Sequence, residues 1–420
     1  PDFPAEPPGA HGWVLPVVLD KANVVQRAVD PDGVERAEIE FLQLRRVRPG
    51  VKILCCAASN TACDVFASRL LASLPSKDVL RLYAPSFPMA NTPSELLPTT
   101  CYSDASRTYA MPSNVADVPV VISTLVTASR LLDKRLRRGH FQYVLIDEAA
   151  QAKEAETAIP LVLLDPAGGG RLILGGDPCQ LGPVVMSDAA RAGGLGVSLM
   201  ERLMRDCPRY HPGTAATGAS CTRLVDNYRS HGALLTVPSA LFYGGSLVEC
   251  APRATTGALA RLPLLGGRDF PLLFHAVEGR HQREGTDPSW FNADEAATVL
   301  SHVRALLDAA VPASEIVVLS PYRGQVGKVR RLLASAGCPV RTASVEEFQG
   351  GEATAVLITT VRSADRDGAD PAAPAAVEVG FLASAKRFNV AVTRAMAALI
   401  VVGSPHLAAD PHWAALIAHA

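Results

Sequence analysis

Two adjacent carboxylates, Asp147 and Glu148, follow the apolar run 143–146. Such a run predicts a buried strand, which would deliver both carboxylates to its carboxyl end. There, Asp147 could hold Mg²⁺ through water, while Glu148 could polarise an attacking water molecule in nucleotide hydrolysis. Acidic pairs after strands also cap helices, so the pair alone leaves a structural role equally open.

A second polar segment, 175–184, favours the nucleotide interpretation. Another apolar run, 172–174, leads into Gly-Gly-Asp-Pro and then Gln180, which predicts a rigid turn with a polar tip. Ligands of open α/β sheets bind at the carboxyl ends of strands, where this tip would lie. The amide of Gln180 could sense a γ-phosphate and report its loss. Together the two segments predict a nucleotide-driven motor.

The composition predicts an α/β protein with two domains. The chain has 420 residues, of which 48% are hydrophobic and 5% aromatic, and this length exceeds what one core usually fills. Short apolar runs alternate with helix-like stretches, which is typical of parallel sheets with crossover helices. The runs are 51–54, 118–122, 143–146, 172–174, 271–274, 316–319, 355–358 and 399–402.

Local composition predicts where the domains begin and end. We expect a first domain at 34–206, with a surface insertion at 75–117, where Pro, Ser, Thr and Tyr are frequent and periodicity is weak. A linker with Pro and Gly would span 207–220, and a second domain 221–420. Within that second domain, 294–308 has the spacing and acidic start of a helix, and 364–376 is typical of a surface loop.

The net charge and the cysteines restrict the kinds of binding site and of cellular compartment that are expected for this protein. A formal net charge of −1 restricts any nucleic-acid site to a local groove. The nine cysteines form no C-x₂-C pairs and no disulfide framework, which predicts a reducing compartment. No long apolar run or leader pattern occurs, so neither a membrane span nor secretion is expected. The chain begins with Pro1 instead of Met, which predicts a fragment or a processed product.

Polar residues after other predicted strands have two possible roles. Ser59 and Asn60 could bind a phosphate or cap the next helix, and capping is favoured; Thr124 has the same ambiguity. Tyr322 and Arg323 could grip a nucleic-acid backbone or simply precede a helix that starts at Gly324.

The second half has further candidates for nucleotide contacts. Tyr228 could stack on a base, and Arg229 could reach a phosphate or be an ordinary exposed arginine. Glu352 could accept a hydrogen bond from a ribose hydroxyl or cap backbone amides. Arg394, predicted on one helical side with Asn389 and Thr393, could act as an arginine finger.

Six motifs in this order resemble those of superfamily 1 helicases. The resemblance is to the group related to the nonsense-mediated-decay helicase, and within it to the Moloney leukaemia virus 10 and silencing-defective RNA helicases. It covers residue 33 to the end of the chain. The motifs are 57–60, 147–151, 176–184, 227–231, 345–352 and 380–394.

This resemblance implies two tandem RecA-like domains, with parallel sheets and helices on both faces, that close on ATP while single-stranded RNA lies across both. Asp147 would hold Mg²⁺, and Glu148 would be the base. Gln180, Arg229 and Arg394 would contact the γ-phosphate, and Tyr228 and Glu352 the nucleoside. The residues expected to lie toward the RNA are Ser59, Asn60, Thr124, Tyr322 and Arg323.

The resemblance also implies a biological setting. The expected protein is a monomeric, ATP-dependent RNA helicase that steps 5′ to 3′ in RNA silencing or decay. It would be cytoplasmic, in ribonucleoprotein granules in some states, with silencing or decay factors as partners.

The family's first motif, the phosphate loop G-x-x-x-x-G-K-[ST], has no match in the chain. The amides and the lysine of this loop cradle the phosphates. Before Val51 the only lysine is Lys21, which has no glycine loop around it. Residues 1–33 are therefore predicted to be an atypical segment, whereas 34–50 resembles the helix that follows the loop.

Three origins account for the missing loop: a wrongly spliced or mispredicted gene product, a truncated fragment, or true loss. The first two are favoured because the later ATP-contacting residues are all kept. True loss would leave an RNA-binding scaffold without ATP hydrolysis, which is the alternative function. A DNA helicase or a helicase-linked nuclease is a third, weaker hypothesis, since no iron–sulfur cysteine spacing supports it.

Overall fold

A computed structural model describes residues 50–133, 136–165, 169–210, 221–259, 261–267, 270–285, 289–363 and 380–420. This part of the chain divides into two compact units. One unit contains the described residues up to Pro178 and within Gly182–Leu224, and the other contains Cys179–Leu181 and Val225–Ala420. The predicted segments 1–33 and 34–49, the loop 364–376 and linker residues 211–220 lie outside the described residues.

The first unit is built on a five-stranded sheet. The strands of the whole unit are β1 (Ile53–Ala57), β2 (Val79–Leu82), the short β3 (Tyr102–Ser103) and β4 (Thr108–Tyr109), β5 (Val120–Thr124), β6 (Tyr143–Asp147) and β7 (Arg171–Leu174). Its helices are α1 (Asn60–Leu71), α2 (Glu154–Leu161), α3 (Asp188–Ala190) and α4 (Leu199–Asp206). The order in the sheet is β2-β5-β1-β6-β7, and all neighbours are parallel. The short β3 and β4 pair only with each other.

The strands of this sheet are buried on both faces. Alternate residues of β1 enter different cores, with Leu54 and Cys56 in one and Ile53, Cys55 and Ala57 in the other. The unbroken apolar run of β1 therefore suits a central strand of a parallel sheet that is covered on both sides.

The predicted surface insertion at 75–117 is wrong for its first part. Val79–Leu82 forms β2 at the edge of the sheet, and all four of its residues are buried. Its Arg81 is fully buried and donates from Nε to Asp64 Oδ1 at 2.8 Å and from Nη2 to Asn60 Oδ1 at 2.9 Å. A buried guanidinium needs such partners, and they come from α1, which is distant from β2 in the sequence.

Three thiols lie in the interior of the first unit. Cys55, Cys56 and Cys63 are free and buried. Burial raises the pKa of Cys55 and Cys56 well above the ordinary thiol value, and raises the pKa of Cys63 to about 11. These cysteines therefore stay protonated and act as small apolar side chains.

A glycine pair after β7 extends the ladder between β6 and β7. The amide of Gly175 donates to Ile146 O at 2.8 Å, and the amide of Ala149 donates to Gly175 O at 2.7 Å. A Cβ atom on Gly176 would lie 3.0 Å from the amide nitrogens of both Ala149 and Ala150. Only glycine allows the two backbones to approach this closely.

The second unit repeats the architecture. Its elements are β8 (Asp226–Asn227), α5 (Gly232–Phe242), β9 (Val248–Glu249), α6 (Arg253–Thr256), β10 (Leu272–Ala276), β11 (His281–Arg283), β12 (Trp290–Asn292), α7 (Ala293–Asp308), β13 (Ile316–Ser320), α8 (Arg323–Ser335), β14 (Arg341–Ser344), β15 (Ala353–Thr359), α9 (Ala385–Val392), β16 (Ala395–Gly403) and α10 (Pro411–His419). The main sheet has the all-parallel order β10-β16-β15-β13-β14. Two parallel sheets with helices on both faces confirm the predicted fold class.

The predicted helix at 294–308 is also confirmed, as α7. Its N-cap is Asn292, whose side-chain oxygen accepts from the amides of Asp294 and Glu295 at 3.1 and 3.2 Å. Both acidic residues lie in the first turn, where the helix dipole favours negative charge.

A buried polar network joins α7, α8 and the ends of β12 and β15. The carboxylate of Glu295 accepts from the Thr359 hydroxyl at 2.6 Å and the Val361 amide at 2.8 Å. The amide group of Gln325 accepts from Asn292 N at 2.9 Å and donates to Thr359 Oγ1 at 2.9 Å. All four side chains of the network, on Asn292, Glu295, Gln325 and Thr359, are 0% exposed.

This network holds one residue in a costly conformation. Val361 has φ 72°, which a β-branched side chain rarely adopts, and its carbonyl accepts from Asn292 Nδ2 at 3.3 Å. Such backbone strain costs about 1–3 kcal/mol and persists only where the surroundings impose it.

None of the helices in the described ranges is both long enough and apolar enough to cross a membrane.

Replacing Gly176 tests how closely its backbone packs against the backbone amides of the turn after β6. Gly176→Ala places a methyl group against two amide nitrogens, so we expect the free energy of unfolding to fall by about 1–3 kcal/mol. Gly193→Ala is the matched control, because a Cβ there meets nothing within 4 Å. Urea denaturation followed by circular dichroism measures both variants, and equal stability of the two would contradict the packing described here.

The buried carboxyl of Glu295 predicts a pH dependence of stability. Burial raises the pKa of Glu295 from 4.5 to about 7. The folded chain therefore binds this proton more tightly than the unfolded chain, and the resulting stabilisation, complete below pH 4.5, is lost as the pH rises toward 7. Glu295→Gln removes the titrating group, so the variant should gain about 3 kcal/mol relative to the unaltered chain between about pH 5 and pH 8.

Urea denaturation at both pH values measures this difference. Glu315→Gln, at an exposed carboxylate of the same unit, should shift stability equally at both pH values. A Glu295→Gln difference that stays constant with pH would show that this carboxyl does not titrate as its burial requires.

Candidate functional site

The carboxyl edge of the first sheet brings together residues that are far apart in sequence. Ala57, the last residue of β1, is paired with Thr124 on one side and Asp147 on the other. Ser59 follows two residues later as the N-cap of α1. Three predicted site residues therefore lie at one edge, as expected for the ends of adjacent parallel strands.

The turn after β6 is unusual at Glu148. This residue has the left-handed conformation, φ 53° and ψ 39°, and its amide donates to Asp147 Oδ1 at 2.9 Å. The amide group of Gln151 donates to the Glu148 carboxylate. Asp147 is only 9% exposed, whereas Glu148 is half-buried. The two carboxylates thus differ in environment, which gives neighbouring acids the means to take different roles.

The segment with Gln180 belongs to the second unit. Leu181 packs against the core of that unit, and Asn389 Nδ2 donates to Cys179 O at 3.0 Å and to the Tyr243 hydroxyl at 2.7 Å. The side-chain oxygen of Gln180 lies 3.5 Å from Arg394 Nη2. The sequence predicted Gln180 and Arg394 as separate phosphate contacts, and the structure brings them together.

Arg394 does not lie on a helix, so that prediction is wrong. The helix α9 ends at Val392, Thr393 is its C-cap, and Arg394 comes after it, immediately before β16. The guanidinium is 2% exposed and donates to Val390 O at 2.9 Å and Gly351 O at 3.3 Å. Carbonyl oxygens of its own unit therefore hold the arginine in this conformation.

A second buried arginine forms an ion pair that the sequence does not predict. Arg229 is 5% exposed, and its Nε donates to Glu352 Oε2 at 2.8 Å. Its Nη1 donates to Thr393 O at 3.3 Å, and its amide is held by Asn227 Oδ1 at 3.0 Å. Tyr228 is half-buried beside them in sequence. The ion pair thus links two residues that were predicted to contact different parts of a nucleotide.

All three predicted RNA contacts of the first unit, Ser59, Asn60 and Thr124, have structural roles. Ser59 Oγ accepts from Ala62 N at 3.1 Å, which is the favoured capping role. Asn60 accepts from Arg81, and Thr124 Oγ1 donates to Thr127 Oγ1 at 2.7 Å. Arg81 is the residue that the sequence analysis missed. Its signal is a charged side chain inside the otherwise apolar run 79–82.

The two predicted RNA contacts of the second unit differ in exposure. Tyr322 is 4% exposed and packs in the core, so its ring is not presented to solvent. Arg323 is exposed as the first residue of α8. Of the pair, only Arg323 is accessible to a nucleic acid in this conformation.

Comparisons with known proteins identify the family. The family described as "AAA domain" matches at residues 195–406, and a second family of the same description matches at 101–188. Domains of this kind in helicases bind nucleoside triphosphates. Human "RNA helicase Mov10l1" is 40% identical over 90% of this chain and 31% of its own length. "Regulator of nonsense transcripts 1 homolog" of Arabidopsis thaliana is 32% identical over 88% of this chain and 30% of its own length.

Among solved structures, "Arterivirus nonstructural protein 10 (helicase)" matches at 14% identity and a TM-score of 0.39, over 87% of this chain and 56% of that chain. The chain spans about a third of the length of the curated relatives given above. The resemblance stated from the motifs is confirmed: this chain belongs to the superfamily 1 helicases of the Moloney leukaemia virus 10 and nonsense-mediated-decay group.

Proposed function

We propose that this chain is the core of an ATP-dependent RNA helicase, which hydrolyses ATP to move along RNA and unwind it. The single observation that carries the proposal is the Asp147–Glu148 turn. It lies at the carboxyl end of a buried parallel strand and holds Glu148 in a left-handed conformation. Strain of this kind concentrates at functional sites. The name of the human relative, an RNA helicase, supports the choice of RNA.

Asp147 is the residue we assign to Mg²⁺. The described ranges contain no cluster of three or more His, Cys, Asp or Glu residues that could hold a metal. A single carboxylate nevertheless fits Mg²⁺, which usually keeps several waters and takes its other ligands from nucleotide phosphates. When bound, the ion would neutralise phosphate charge, and the buried carboxylate of Asp147 would orient it.

Glu148 is the residue we assign as the base. Its carboxylate would accept a proton from the attacking water, and Gln151, which donates to that carboxylate, would fix its orientation. Because Gln151 is a neutral amide, it can orient the carboxylate without neutralising it.

The proposed arginine and nucleoside contacts lie in the second unit. Arg229 and Arg394 are already directed at oxygen atoms, Glu352 Oε2 and Val390 O among them. We propose that Arg229 gives to a γ-phosphate the hydrogen bond that it now donates to Thr393 O, and that Arg394 does so with its bond to Val390 O, because bonds between charged partners are stronger than those to neutral carbonyls. Gln180, 3.5 Å from Arg394, would join the same phosphate contact. Tyr228 and Glu352 remain the proposed nucleoside contacts.

Single-stranded RNA remains the proposed nucleic acid, with Arg323 the most accessible of its predicted contacts. RNA silencing or decay in the cytoplasm, as a monomer with silencing or decay factors, remains the proposed setting. We also propose that a phosphate loop must be supplied for turnover, because the chain has no G-x-x-x-x-G-K-[ST] match.

RNA-stimulated ATP hydrolysis tests the assignment of Glu148. The chain is assayed as given and with a Gly-Lys-Thr loop restored before Val34. In whichever form hydrolyses ATP, Glu148→Gln should lower turnover by about 10²-fold or more, since the amide cannot accept the proton. Glu156→Gln, at another carboxylate of the same unit, should leave turnover unchanged.

The outcomes separate the two candidate functions. Turnover that survives Glu148→Gln would contradict the role of Glu148. If neither form hydrolyses ATP while both bind single-stranded RNA, the chain is the RNA-binding scaffold and the enzyme proposal fails.

A further inference from the structure

A small hairpin in the second unit carries an aromatic residue beside positive charge. Strands β11 and β12 pair antiparallel, with Arg283 directly opposite Trp290. The Arg283 guanidinium lies 4.0 Å from the centroid of the Trp290 ring. Trp290 is half-buried and Arg283 is exposed, so the contact is open to solvent on one side.

A second arginine reaches the same ring from the main sheet. Arg362 follows β15, is only 5% exposed, and places its guanidinium 5.0 Å from the Trp290 centroid. The ring of His281 meets Trp290 edge-on at 4.7 Å, and His281 Nδ1 lies 3.0 Å from Ser363 Oγ. We call these five residues, His281, Arg283, Trp290, Arg362 and Ser363, the Trp290 platform.

The buried network described above fixes the platform in place. Asn292 ends the strand that carries Trp290, and its side chain donates to Val361 O, one residue before Arg362. Glu295 holds the Val361 amide from the other side. Four fully buried polar side chains and one strained backbone residue thus join the two segments that meet at Trp290. Rigid support of this kind is what a preorganised binding site requires.

Further charged residues lie near the platform, and exposed Asp294 is among them. The nearest carboxylate in sequence, Glu284, is paired with Arg331 at 3.2 Å. Exposed Arg323 is adjacent as well, because its neighbour Gly324 donates to Ser289 Oγ at 2.9 Å, beside Trp290.

We propose that the Trp290 platform binds single-stranded RNA, with a base stacked on the indole and a phosphate held by exposed Arg283. Arg283 is exposed and can move from the ring face to a phosphate when a base takes its place. Arg362 is buried and supplies a stationary charge. Aromatic rings flanked by arginines are the usual means of holding single strands without reading their sequence. This inference rests on the proposed RNA function and adds residues to it.

Binding of a fluorescein-labelled oligouridylate to the full chain tests the proposal. Fluorescence anisotropy gives the affinity at several salt concentrations. Trp290→Leu removes stacking and should weaken binding roughly tenfold. Arg283→Gln should weaken binding by a smaller factor and lower the slope of log affinity against log salt by about one.

Arg304→Gln is the matched control. Arg304 is exposed on α7, in the same unit, 11 residues along the helix from its first residue and thus about 16 Å from the platform end. This variant should bind as the unaltered chain does. Quenching of tryptophan fluorescence by RNA provides a second readout, and Trp290→Leu should remove part of it.

Three outcomes would overturn the proposal. If Arg283→Gln and Trp290→Leu bind RNA as Arg304→Gln does, the platform is not an RNA site, while the helicase proposal stands. If the unaltered chain binds no oligouridylate, the platform and the RNA part of the proposed function fail together. If Arg283→Gln loses affinity for polyglutamate but keeps affinity for RNA, the platform docks an acidic protein segment instead. Arg283→Gln alters an exposed side chain, so the test does not depend on the folding of the tryptophan variant.

Discussion

The strands of both main sheets are all parallel, and this arrangement determines which backbone groups at the carboxyl edges need hydrogen-bond partners. Strand ends that point the same way leave a row of backbone amides beyond the ladder, and these need partners. In the first unit, Ser59, Thr124 and Asp147 each accept from an amide a few positions later. In the second unit, Asn227 accepts from the amides of Arg229 and Ser230, and Glu295 of α7 accepts from the amide of Val361, which follows β15. The polar residues of the edge thus stabilise the fold as well as face a ligand.

The same need for hydrogen-bond partners explains how charged side chains can be buried in the second unit. Arg229 and Arg394 are almost without exposure, and an unpaired charge there would be strongly destabilising. Each is surrounded by oxygen atoms from the segments 351–352 and 390–393. A ligand oxygen could replace one of these acceptors with little rearrangement, whereas removal of an arginine would leave several acceptors unsatisfied.

The apolar runs predict eight strands of the two sheets, and all eight are present, because parallel strands buried on both faces must be apolar throughout. The two that were missed, β2 and β14, contain arginine or small polar residues. Their burial depends on contacts such as Arg81 with Asp64, which no local pattern reveals. Likewise, strand ends predict where Asp147 lies, but the pairing of Arg229 with Glu352 joins residues 123 positions apart. The expectation of a helical Arg394 failed because α9 ends at Val392.

The buried thiols of β1 and α1 can report when the first unit opens. Alkylating reagents attack the thiolate, and burial both shields Cys55, Cys56 and Cys63 and holds them protonated. Cys101 and Cys207 are only partly buried, so they are more accessible to such a reagent in the folded chain. Labelling of the three interior thiols therefore requires β1 and α1 to separate from their neighbours. The rate of their modification would measure how often the sheet that carries Asp147 opens locally, without any added probe.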